Sequence, residues 1–101
     1  MRRLLSVTEA RPAGSAFASQ KAWQLNPQVA LRDEAFGALA YHYGNRRLVF
    51  LKSRTLVELV SSLGDYPSAA EAVDALVPAP QRAAYVRALA RLADAQVIDA
   101  R

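Results

Sequence analysis

Ala38-Leu-Ala-Tyr-His-Tyr-Gly44-Asn45-Arg-Arg-Leu-Val-Phe-Leu51-Lys-Ser53-Arg-Thr-Leu-Val-Glu-Leu-Val-Ser-Ser-Leu63 is the stretch that decides the fold. Gly44-Asn45 is a strong two-residue turn signal, so residues 38–43 and 46–51 are expected to fold back on each other as an antiparallel hairpin. That register sets Tyr41 opposite Leu48 and Leu39 opposite Phe50, and these four large side chains are expected to form the core face. The other face, Ala38/Leu51, Ala40/Val49 and His42/Arg47, is then half exposed. An open strand edge beside such a face can accept a peptide. Ser53 is a good N-cap, and Leu56, Leu59, Val60 and Leu63 follow at helical spacing, so the hairpin runs almost directly into a helix.

Upstream, residues 23–27 and 29–32 read as short extended segments bent at Asn26-Pro27, supplying a first strand near the hairpin. Downstream, Gly64 is placed to end the first helix in a left-handed conformation, and Pro67 prevents its continuation. Ser68-Ala-Ala-Glu71 has capping-box spacing ahead of a second helix with Ala69, Ala72, Val73 and Leu76 on one face. A third helix is predicted over 81–95, with Tyr85, Leu89, Leu92 and Ala93 inward and Arg82, Arg87 and Arg91 toward solvent. Val97-Ile98 can return to the core as a short terminal strand.

The chain has 101 residues, 52% of them hydrophobic, which suits one core and not two domains. Residues 1–20 lack periodicity and read as a flexible basic arm ahead of a domain at 21–101. Their start superficially resembles a signal peptide, but its apolar run is short and is broken by Glu9, Arg11 and Pro12; a transit-peptide composition is the other alternative to a plain arm. No run is long enough to span a bilayer. Without cysteine the chain has no disulfide, iron-sulfur ligand or thiol nucleophile, which fits a cytoplasmic location. A net charge of +4 favours acidic partners.

Catalytic machinery is missing from the pattern. His42 is the only imidazole, the carboxylates are scattered, and no metal-ligand spacing occurs, so neither enzymatic activity nor a bound cofactor or metal is expected. His42 and Trp23 are better explained by packing than by chemistry. Tyr41 and Tyr43 could stack on bases, yet aromatics at a spacing of two more often serve a sheet.

The run Trp23-Gln-Leu-Asn-Pro-Gln-Val-Ala-Leu-Arg32 and the strings Phe36-Gly-Ala-Leu, Tyr41-His-Tyr-Gly and Arg46-Arg-Leu-Val-Phe-Leu-Lys-Ser53 resemble the mycofactocin biosynthesis peptide chaperones. These belong with the PqqD-like domains, the precursor-peptide recognition elements of ribosomally made, modified peptides. The resemblance covers residues 22–100. It implies an α+β, winged-helix-like domain in which a three-stranded antiparallel sheet is followed by three helices. It also implies a peptide chaperone that binds the precursor leader as an added strand on the third strand, in a cleft bordered by the third helix. Carried onto this chain, that site comprises Arg46, Arg47, Leu48, Val49, Phe50 and Leu51 with Arg82, Tyr85, Val86 and Leu89. The peptide would be presented to a radical S-adenosylmethionine maturase, which holds the cofactors and acts on a carboxy-terminal Val-Tyr. A winged-helix DNA-binding regulator is the rival reading. It is disfavoured because the third helix has little Asn, Gln, Ser or Thr to read bases.

Overall fold

A computed structural model describes residues 17–101; of the arm expected over 1–20, residues 1–16 lie outside them. Along the chain lie β1 (Trp23–Leu25), β2 (Val29–Glu34), β3 (Gly37–His42), β4 (Leu48–Leu51), α1 (Arg54–Ser62), α2 (Ala69–Leu76), α3 (Arg82–Asp94) and β5 (Ile98–Ala100). The class is α+β, with antiparallel strands and three helices. The strands form two sheets instead of one: a three-stranded β2-β3-β4 and a two-stranded β1-β5. Asn26 explains the division. Its Oδ1 accepts from the Gln28 N–H at 2.7 Å and fixes the bend, while its Nδ2 donates to the Gln96 C=O at 3.0 Å and its N–H to the Val97 C=O at 2.9 Å. The first extended segment is thereby turned onto the carboxy-terminal strand, away from the hairpin.

The hairpin register is the expected one, with Leu39 opposite Phe50 and Tyr41 opposite Leu48. Its faces are reversed. Ala38, Ala40, His42 and Leu51 are buried, whereas Leu48 and Phe50 are each 54% exposed and Leu39 and Tyr41 are half-buried. Small residues account for the inversion: Ala38 and Ala40 let α1 approach β3 closely, and Leu51, Leu59, Val60 and Leu89 then fill the space between sheet and helices. Four large side chains on that face would have held the helices off.

His42, expected at a half-exposed position, is 4% exposed. Its Nδ1 accepts from the Gly44 and Asn45 N–H groups at 2.9 and 3.1 Å, which widens the connection to residues 43–46. The Arg46 N–H closes that loop on the His42 C=O at 2.8 Å, with Arg46 in the left-handed region at φ 64°. At the other end of β3, Gly37 has φ 149°, and a Cβ there would run into the Leu51 carbonyl oxygen.

Ser53 caps α1 by accepting from the Leu56 N–H at 3.0 Å, and Ser68 caps α2 through the Glu71 N–H at 3.2 Å. Helix α1 does not stop on a left-handed Gly64; it tightens into a 3-10 turn at Leu63–Asp65. Arg101 reaches the carbonyls left open there, Gly64 at 3.0 Å and Tyr66 at 2.8 Å. Packing also extends upstream of residue 21. The Phe17 ring lies 4.9 Å from that of Trp23, the Trp23 Nε1–H donates to the Ala18 C=O at 2.9 Å, and the Ala70 N–H donates to the Ser19 C=O at 2.7 Å.

Candidate functional site

The site begins with the two edges of the three-stranded sheet. In an antiparallel ladder, hydrogen-bonded and non-bonded pairs alternate. The His42 N–H donates to the Arg47 C=O at 2.9 Å, so the pairs Ala40/Val49 and Ala38/Leu51 are the bonded ones. Val49 and Leu51 therefore spend their backbone groups on β3, and the N–H and C=O groups of Leu48 and Phe50 point outward along an edge with no strand partner among the described residues. The β2 edge is different. Its Val29 N–H is bonded to the Asn26 C=O at 2.9 Å, and Arg32, Asp33 and Glu34 place charge along it. Charge on an edge discourages strand addition, whereas Leu48-Val49-Phe50 offers an apolar one.

Near the carboxy-terminal end of β4, the Tyr85 hydroxyl and Ser53 Oγ share a hydrogen bond of 2.9 Å. This ties α3 to the junction of β4 and α1, because Ser53 is at once the residue after Lys52 and the N-cap of α1. Tyr85 and Val86 are half-buried on α3, with part of each surface open. No pocket forms among the described residues. No group of three or more His, Asp or Glu side chains is close enough to hold a metal there either.

The residues expected in the site divide by role. Leu48, Val49 and Phe50 form the edge, and Tyr85 and Val86 lie on the helix facing the junction. Arg46 and Arg47 are exposed in the loop at the amino-terminal end of β4, where the Asn45 Oδ1 accepts from the Arg47 N–H at 2.9 Å. Leu51 and Leu89 are fully buried and support the site from beneath. Arg82 is turned away: its guanidinium donates to the Val77 and Asp74 carbonyls, both at 2.9 Å, and closes the end of α2. Sequence reasoning missed Ser53 as the anchor for Tyr85, and missed that Leu39, Tyr41, Leu48 and Phe50 face outward. The alternation of alanines at 38 and 40 under three amphipathic helices was the available signal for the second point.

Comparison with known proteins places the chain in a family. Residues 22–99 match the peptide chaperone MftB family. The chain belongs to that family. Peptide chaperone MftB of Mycobacterium ulcerans (strain Agy99) is 42% identical over 102 residues, spanning 97% of this chain and 94% of that protein. Peptide chaperone MftB of Mycolicibacterium smegmatis (strain ATCC 700084 / mc(2)155) is 49% identical over 77 residues, 75% of this chain and 76% of the relative. The MftB of Mycobacterium tuberculosis (strain ATCC 25618 / H37Rv) is 53% identical over 57 residues, 56% of this chain and 52% of its own. No solved structure gives a significant match. The stretch shared with the MftB family contains β4, its loop and the whole of α3.

Proposed function

We propose that this protein is a non-catalytic cytoplasmic chaperone that binds the leader of a ribosomally made precursor peptide as a strand added to β4, in a winged-helix-like arrangement with α3 as the second wall. The leader is then presented to a radical S-adenosylmethionine maturase in mycofactocin biosynthesis. The observation that carries this reading is the open edge at Leu48 and Phe50, whose outward backbone groups are flanked by apolar side chains, with Tyr85 bonded to Ser53 just past the end of the strand. Main-chain bonds from such an edge are indifferent to sequence, so selectivity comes from the side chains on either face of the added strand. Membership of the MftB family supports the same reading. Arg46 and Arg47, without a carboxylate partner among the described residues, favour a leader with acidic groups near that end.

Calorimetry with a synthetic leader, set against duplex DNA of random sequence at about 0.15 M salt, tests the proposal. The leader is expected to bind with a dissociation constant of about 1 μM or below and the DNA not measurably. Tight DNA binding that survives added salt, with no leader binding, would falsify the chaperone reading.

A further inference from the structure

Inverting the hairpin leaves an apolar surface on the side of the sheet away from the helices. Phe36 (43% exposed), Tyr43 (63%), Leu48 and Phe50 (54% each) stand there with half-buried Leu39 and Tyr41 between them. Two aromatic pairs organise it: Phe36 and Phe50 with ring centroids 5.7 Å apart, and Tyr41 and Tyr43 at 5.0 Å, edge to face. A contiguous patch of this composition is what protein interfaces use as their centre.

We propose that this face docks a folded partner protein whose contact surface is apolar at its centre and acidic at its rim. Charge selects that occupant. Residues 29–54 hold five basic side chains (Arg32, Arg46, Arg47, Lys52 and Arg54) against two acidic ones (Asp33 and Glu34), whereas residues 55–101 carry a small negative excess. Arg32 is paired with Glu34 at 3.0 Å, and Arg54 lies 3.9 Å from Asp33; Arg46 and Lys52 have no ion-pair partner among the described residues, nor has Arg47, which falls opposite His42 on the other face of the hairpin. Two copies meeting through this face would bring like charges together, so a second copy is disfavoured. An added peptide strand does not cover it either. Strands lie about 4.8 Å apart, so a peptide on the β4 edge lies beside Leu48 and Phe50 and leaves Leu39, Tyr41, Phe36 and Tyr43 bare. Leu48 and Phe50 belong to both surfaces, so a docked partner would lie against the held peptide.

The inference rests on the peptide-presenting reading, which makes the maturase the partner to test. The Leu39→Thr/Tyr41→Thr double variant puts β-branched strand formers at both positions and leaves the β4 backbone edge untouched. Purified maturase should bind this variant about tenfold or more weakly than the parent, while leader affinity stays within about threefold. Lys52→Glu, which leaves the strand intact, should weaken the same complex and reduce its sensitivity to salt. Unchanged maturase binding in both variants overturns the proposal. So does a parent dimer that the double variant dissolves without loss of maturase binding, or a loss of leader binding as large as that of maturase binding. If the parent binds no leader while the double variant still weakens the maturase complex, the peptide reading falls and the docking face stands.

Discussion

Leu48, Val49 and Phe50 differ in role because strand geometry separates backbone direction from side-chain direction. The Val49 amide faces β3 opposite Ala40, while the Leu48 and Phe50 amides face the open edge. Proline is tolerated in a strand only where its missing donor would have pointed outward. Phe50→Pro should therefore keep a cooperative fold and weaken leader binding about two- to tenfold beyond Phe50→Ala, one hydrogen bond being worth about 0.5–1.5 kcal/mol. Val49→Pro should instead break the ladder and cost about 1–3 kcal/mol of stability, since the Ala40 carbonyl loses its donor. Thermal melts and calorimetry on the same samples separate the two effects. Equal leader affinity for Phe50→Pro and Phe50→Ala would place the peptide elsewhere.

Helix ends show how far an element can be read from its residues. Helix α3 closes with the Val97 N–H on the Leu92 C=O at 2.9 Å and the Gln96 N–H on the Ala93 C=O at 3.0 Å, the two bonds of a Schellman motif. The left-handed position belongs to Gln96, at φ 64°, where glycine is the usual occupant. Gln96→Gly should raise stability by about 0.5–1 kcal/mol in a denaturant titration, minus whatever the exposed Asn45–Gln96 side-chain bond at 3.2 Å contributes. A loss greater than about 1 kcal/mol would mean that this side-chain bond outweighs the backbone strain. The caps at Ser53 and Ser68, the spans of α1 and α2 and the hairpin register were legible because each depends on neighbours in sequence. Which hairpin face is buried was not, since it depends on how closely α1 approaches. The pairing of β1 with β5 was equally hidden, being set by Asn26 bonding to Gln96 and Val97, far along the chain. At the candidate site, the strand over residues 48–51 and the helix that carries Tyr85 were legible, whereas the bonds that hold Arg82 against α2 were not.

At the scale of the whole molecule, the two ends of the described chain hold the helices against the sheet. β1 pairs with β5, the Arg101 N–H donates to the Ala22 C=O at 2.9 Å, and the Ala69 N–H donates to the Lys21 C=O at 3.0 Å. The family match begins at residue 22, yet Phe17 already packs on the domain. Residues 17–20 cover the buried Trp23, and Ser19 satisfies one of the first amides of α2. A chain shortened to begin at Lys21 forfeits the Phe17 ring contact and the bonds to Ala18 and Ser19, a loss of roughly 2–4 kcal/mol when such contributions are summed. One shortened to begin at Ala16 retains them and should melt like the full chain. Trp23 is the only tryptophan, so its emission reports the same region directly: it should shift to the red in the shorter chain and stay unchanged in the longer one. If the chain beginning at Lys21 keeps both the melting transition and the emission of the parent, residues 17–20 belong to the arm and the domain starts at Lys21 after all.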